Sequence, residues 1–198
     1  METEIQPPAK QRKTGLVHVL TGDGNGKTTS AIGIVVRASG RGMKAAFVQF
    51  LKNGLSSELA PMQRMGVEVV SGAKYSEKDL SAGQPQETVF MAYKSSLKAD
   101  EGDRQLARAS FAKATGFARS GKYDLVVLDG IFGAVRAGLV TEADVLNFLR
   151  EKAPNCELVL TGRGASPAIE AAADYVTHVE KIKHPFDMGM TSRCGIDY

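Results

Sequence analysis

The chain of 198 residues contains no tryptophan and only two cysteines. Cys156 and Cys194 lie far apart and form no CxxC pair, so neither a disulfide framework nor a zinc site is expected. That cysteine usage suits a reducing cytoplasm. Cys156 opens an apolar run and reads as a buried core thiol. Long hydrophobic runs are also missing. Stretches such as Leu125–Leu128 are far too short to span a bilayer, so no membrane role is expected. No dense Lys/Arg block or aromatic-interleaved basic stripe occurs, and a net charge of +3 does not by itself imply nucleic acid. Internal repeats and low-complexity tracts are absent as well. The opening METEIQPPAKQRKTG carries charges and prolines without an apolar core, unlike a secretory signal. Residues 1–14 are expected to form a flexible or partner-ordered arm, ahead of one domain over 15–198.

What is present is a composition ordinary for a globular protein, with 43% hydrophobic and 24% charged residues. Short β-branched runs alternate with helical patterns. Strands are expected at 16–20, 45–50, 67–70, 124–128, 157–160 and 175–179. Helices are expected at 27–38, 57–65, 104–120, 142–152 and 168–172. The strand runs are continuously apolar, as in parallel sheets covered on both faces. The alternation argues a doubly wound, mainly parallel α/β domain, whose ligands gather beyond the carboxyl ends of the strands. Ser39-Gly40-Arg41-Gly42 and Gly121 stop two of the helices. Residues 71–103 are irregular, with a short helix expected around 86–97. Such a segment reads equally as a lid or as a surface loop.

One stretch carries chemistry. Thr21-Gly22-Asp23-Gly24-Asn25-Gly26-Lys27-Thr28-Thr29 follows an expected strand and opens an expected helix. That context marks a phosphate-binding loop. Its glycines let backbone N–H groups approach phosphate oxygens, Lys27 neutralises charge, and the Thr28 hydroxyl suits Mg²⁺. The helix adds the positive end of its dipole. The fold expected is therefore of the P-loop NTPase (RecA-like) type, although Thr21 stands where the motif usually opens with glycine. A carboxylate for the Mg²⁺ shell is expected at the end of a neighbouring strand, and Asp129 fits, the alternative being a turn cap. Gly130 follows it, so no second carboxylate stands beside it.

Taken in order, TGDGNGKTT, RASGRG, VQFLKNG, YDLVVLDG, LTGRGA and the tail HPFDMG…GIDY resemble the P-loop-type ATP:cob(I)alamin (corrinoid) adenosyltransferases of cobalamin biosynthesis. The similarity covers roughly residues 15–70 and 122–198. That family's loop also opens Thr-Gly. The resemblance implies transfer of the 5′-deoxyadenosyl group of ATP to cob(I)alamin or a related corrinoid, with release of triphosphate. It implies that Thr21–Thr29 bind the nucleotide, that Thr28 and Asp129 serve Mg²⁺, and that Lys27, Asp129 and Arg163 act in catalysis. Arg37 and Arg163 match family arginines that contact phosphates or ribose, a task suited to a planar guanidinium. For Arg37 a solvated helix face is the competing reading. The resemblance further implies a homodimer, a flavoprotein reductant and corrinoid-dependent enzymes as partners.

Structural roles are expected for the tail, with Pro185 restricting the backbone and Phe186 anchoring in an apolar pocket. His18 reads as a core histidine. Neither it nor His178 reads as a cobalt ligand.

Two positions depart from the family pattern. The family usually reads Leu-Asp-Glu where this chain has Leu128-Asp129-Gly130, leaving water or another carboxylate such as Glu58 to substitute. It also commonly has Phe-Thr-Trp after the third strand, where this chain has Ser71-Gly-Ala-Lys-Tyr75-Ser, with Phe90 and Tyr93 further on. Three readings therefore stand: an active transferase with a remodelled corrinoid pocket, a nucleotide- or corrinoid-binding carrier or regulator without transfer activity, and a small-molecule P-loop kinase.

Overall fold

A computed structural model describes residues 14–52, 56–71 and 101–197. The arm over 1–13 and the segment over 72–100, with the helix expected there and with Tyr75, Phe90 and Tyr93, lie outside the described residues. Six strands form one sheet: β1 (Val17–Thr21), β2 (Ala45–Gln49), β3 (Glu68–Ser71), β4 (Leu125–Asp129), β5 (Glu157–Thr161) and β6 (Tyr175–His178). Their spatial order is β3-β2-β4-β5-β1-β6, and every pairing is parallel. The helices are α1 (Lys27–Ser39), α2 (Leu59–Arg64), α3 (Glu101–Arg119), α4 (Ile131–Arg136), α5 (Glu142–Glu151) and α6 (Pro167–Ala171), with a 3₁₀ turn at Pro185–Met188. Within the described residues this is the single α/β domain the alternation predicts. Among them, no helix is long and apolar enough to cross a membrane.

The alternation of side chains along each strand sorts the core into two layers. Phe47, Leu125, Val127 and Val159 face Ala31, Val35 and Ala38 of α1 and Leu59 and Met62 of α2. Val17, Val19, Val48, Val126, Leu128 and Leu160 face the other way, onto Ala107, Ala114 and Ala118 of α3, Phe132 of α4 and Phe148 of α5. Small alanines let the helices approach the sheet, and Phe47, fully buried, fills one layer. Its truncation to alanine is worth roughly 3–5 kcal/mol.

The helix ends are marked as their residues dictate. At α5 the Thr141 hydroxyl accepts from Asp144 N at 3.1 Å while the Asp144 carboxylate accepts from Thr141 N at 3.2 Å, a reciprocal cap. Ser166 caps α6, with Pro167 in its first turn.

Four expectations need correction. The sheet is not covered throughout: all four residues of β6, an edge strand, are exposed. Helix α4 went unforeseen, since IFGAVR is one short turn with an interior glycine, formed by packing Ile131 and Phe132 rather than by propensity. His18 is half-buried rather than core. Its ring stacks on Tyr175 with centroids 4.5 Å apart, and its Nε2 lies 2.5 Å from Glu157 Oε1. Phe186 does not anchor in a pocket and is 53% exposed, because the tail runs over the surface. Cys156 is buried as expected, and burial pushes its thiol up to about 11.

Candidate active site

The carboxyl ends of three adjacent strands finish in polar residues: Gln49 on β2, Asp129 on β4 and Thr161 on β5. Gln49 pairs in register with Asp129. Leu128 pairs with Leu160, so Asp129 and Thr161 stand side by side one residue later. Alternation turns all three toward the α1 layer. Each is only 1% exposed, a costly burial unless their polar atoms find partners.

Most do. Asp129 Oδ1 accepts from the Thr28 hydroxyl at 2.7 Å and from the Thr161 hydroxyl at 2.7 Å. Thr161 Oγ1 in turn accepts from Gly130 N at 2.9 Å. Asp129 Oδ2 lies 3.2 Å from Lys52 Nζ and 3.4 Å from Gln49 Nε2. Thr28 is therefore tied directly to the carboxylate expected to share its metal, across 101 positions of sequence.

The loop before α1 is shaped by its glycines and by the chain's end. Gly26 has φ 108 and Gly22 φ 101, a left-handed region that side chains resist. A Cβ on Gly22 would also lie 2.5 Å from the Val179 carbonyl oxygen. Gly24 N donates to that same oxygen at 2.8 Å. The loop is thus pressed against the residue that follows β6. No side chain caps α1, so the first-turn N–H groups face outward for an anion. Asn25 Oδ1 accepts from Gly26 N at 2.9 Å, Asp23 Oδ1 accepts from Lys181 N at 3.2 Å, and Thr29 is exposed on the first turn.

Thr21, the irregular opening residue, is buried, and its hydroxyl accepts from Ala165 N at 3.1 Å. It fastens the loop after β5, which carries Arg163, to the phosphate loop. Lys27 folds over its own loop, with Nζ 2.5 Å from the Gly24 carbonyl. Burial first, and then the positive charge of Arg163, lower its pKa, against the opposing pull of Asp23 and Asp129. Lys27 and Arg163 thus lie near enough for their positive charges to repel.

Arg37 does not join them within one chain. It lies ten residues along α1 from Lys27, about 15 Å at the helical rise, exposed in the last turn. There its charge suits the carbonyl end of the helix dipole.

Beside the loop opens a cleft of about 620 Å³, lined in part by Asp23, Asn25, Arg163, Lys181, His184 and Phe186. Lys181 Nζ bridges both carboxylate oxygens of Asp187 at 3.0 Å. His184 Nδ1 accepts from Phe186 N at 3.1 Å and caps the 3₁₀ turn. His178 is exposed, 3.0 Å from Glu170 Oε1.

Gln49, Lys52 and Thr161 were missed in the sequence reading. Gln49 does carry a signal, as a lone amide ending the apolar run Ala45–Val48. Thr161 and Lys52 become legible only once the strands are in register.

The chemistry available is anion binding by loop amides, Lys27 and Arg163, next to a hydroxyl–carboxylate pair of hard oxygen donors. Among the described residues no three His, Cys, Asp or Glu side chains gather as a metal site. A divalent cation here would be shared with ligand phosphates, the usual habit of Mg²⁺.

A model of the ATP:corrinoid adenosyltransferase family BtuR/CobO/CobP matches residues 13–198. The chain is 33% identical over 190 residues to a corrinoid adenosyltransferase of Sinorhizobium sp, covering 96% of this chain and 83% of that protein. It is 31% identical over 192 residues to the corrinoid adenosyltransferase of Escherichia coli K12, covering 95% and 88%. A corrinoid adenosyltransferase of Pseudomonas aeruginosa is 30% identical over 203 residues, covering 100% and 90%. With its loop, its strand-end carboxylate and its tail all within the matched span, the chain belongs to the ATP:corrinoid adenosyltransferase family.

Proposed function

We propose that this protein transfers the 5′-deoxyadenosyl group of ATP to cob(I)alamin or a related corrinoid and releases triphosphate. The single observation that carries the reading is the convergence of Lys27, Arg163 and the Thr28–Asp129 pair on one loop, in a chain of this family. In the reaction a cobalt–carbon bond forms at the ribose 5′ carbon while the bond from that carbon to O5′ breaks. Its electron pair leaves with the triphosphate. The departing group gathers negative charge, and fixed loop amides and two cations stabilise that charge most in the transition state.

The residues divide the work by position. Gly22 to Thr29 cradle the phosphates, Lys27 and Arg163 neutralise them, and Thr21 holds the Arg163 loop in place. Thr28 and Asp129 would hold Mg²⁺, which when bound supplies charge compensation to the phosphates. Arg37, exposed in the last turn of α1, serves the carbonyl end of that helix. A homodimer in the cytoplasm, supplied with cobalt(I) by a flavoprotein and serving corrinoid-dependent enzymes, is the setting that fits this chemistry.

The test mixes purified protein, MgATP and chemically reduced cobalamin without oxygen, following the cobalamin spectrum and the phosphate products. Light-sensitive adenosylcobalamin with intact triphosphate, absent in Lys27→Ala, is the expected result. ATP binding without a cobalt–carbon bond would make the protein a carrier or regulator. Release of single phosphate to an acceptor would make it a kinase.

A further inference from the structure

Position 130 cannot readily carry a carboxylate. Gly130 has φ 82, and a Cβ there would lie 2.9 Å from the Phe50 carbonyl oxygen. A second carboxylate reaches the site from another direction. Glu58, just before α2, places Oε1 3.1 Å from Gln49 Nε2 and 3.4 Å from Lys52 Nζ. The same two nitrogens lie 3.4 and 3.2 Å from Asp129 Oδ2. Two carboxylates thus share one amide and one ammonium in a closed ring. The side chains of Glu58 and Lys52 are 13% and 24% exposed.

Two further observations point to a ligand at this ring. Gln49 is 1% exposed, and its Oε1 accepts no hydrogen bond among the described residues, although the amide's other end is held by both carboxylates. A buried acceptor of this kind calls for a donor, and water in a metal's hydration shell is one. Leu51, between Phe50 and Lys52, has φ 60, the only non-glycine residue with positive φ among those described. Backbone strain of that sort concentrates at functional sites. Here it immediately precedes the lysine that caps the ring.

We propose that Glu58 is a positioning carboxylate for the divalent cation of the bound nucleotide, acting with Gln49 Oε1 on that cation's water shell, and that Lys52 is the resident counter-cation the metal displaces. Without metal the ring holds two negative charges against one positive, so the ammonium stays. A divalent cation makes the ammonium surplus and frees it toward the phosphates. The carboxylate that position 130 lacks is restored through space by α2 and β2 rather than along β4. This rests on the nucleotide-site reading above.

The experiment titrates the full chain with Mn²⁺, with and without ATP and without corrinoid, reading free Mn²⁺ by electron paramagnetic resonance. In Glu58→Gln the affinity for Mn²⁺ in the presence of ATP should fall about 10- to 100-fold. Affinity for metal-free ATP in chelator should stay within about twofold, since the ring acts on the cation and not on the loop. In Lys52→Met, Mn²⁺ should bind severalfold more tightly without ATP. Glu58→Gln binding Mn²⁺·ATP like the parent, or Lys52→Met leaving Mn²⁺ affinity unchanged, would overturn the proposal. Failure of the parent protein to bind ATP at all would instead overturn the nucleotide-site reading. Should Glu58→Gln lose its folded circular dichroism, Lys52→Met decides alone.

Discussion

The two sides of the phosphate loop are built in opposite ways. On the sheet side, Gln49, Asp129 and Thr161 are each 1% exposed, and Asp129 accepts short hydrogen bonds from both Thr28 and Thr161. On the tail side, every residue of β6 is exposed, Ile182 is 85% exposed, and the ion pairs, such as Lys181 with Asp187, stand in solvent. A buried row has one geometry and keeps it, because any shift leaves a polar group unpaired. An exposed tail can change its contacts at little cost. The sheet side of the loop is thus a rigid wall, and the tail side is free to adapt.

The sharpest way to break this comparison is at the loop itself. Lys27→Ala should lower kcat/KM for adenosyl transfer by about 10²- to 10³-fold, measured by anaerobic spectroscopy, with little change in melting temperature. A thermal shift as large as that of a core variant would mean that Lys27 serves the fold rather than the reaction.

The buried row should show the reverse pattern. Thr161→Val removes the donor to Asp129 and the acceptor for Gly130 N together, and should cost about 1–3 kcal/mol in urea unfolding. Gly130→Glu, which writes the family's usual residue back, should also destabilise, by roughly 1–3 kcal/mol, and should not raise activity. A more active Gly130→Glu would refute the view that this backbone has committed to glycine.

On the tail, Asp187→Asn removes an exposed ion pair and should change stability by less than about 1 kcal/mol. A separate effect, confined to alkaline pH, is expected far from both sides. Burial raises Cys156 from 9.0 to about 11. A group whose folded pKa exceeds its unfolded value stabilises the protein fully below the unfolded pKa and loses that contribution as pH rises to the folded one. Stability of the parent should therefore carry an extra decline between pH 9 and about 11 that Cys156→Ala lacks.

The layers were legible because local pattern and tertiary demand agree in them. Runs such as Leu125-Val-Val-Leu128 suit a strand covered on both faces, and TGDGNGKTT between a strand and a helix reads as a phosphate-binding loop. Helix α4 was not legible, since its six residues are held by the burial of Ile131 and Phe132 and carry no period. Nor was the exposure of β6: Tyr175-Val-Thr-His178 reads as any other strand, and only the spatial order puts it at an edge. Within the site, Lys27, Thr28 and Arg163 announce themselves by motif. Thr161 and Lys52 lie within the stretches LTGRGA and VQFLKNG, yet their part in the site is not legible there, because a threonine at a strand end and a lysine in a loop are unremarkable until something lies beside them.

By itself the sequence determined the order of the six strands, the glycine-rich loop between β1 and α1 and the family, since each depends on residues close together along the chain. Only the tertiary structure decided that Thr28 meets Asp129, that Thr21 fastens the Arg163 loop, and that Glu58 shares Gln49 and Lys52 with Asp129. Those contacts join residues on different strands, loops and helices. Their partners are set by strand order and register, and no short-range pattern in the sequence encodes either.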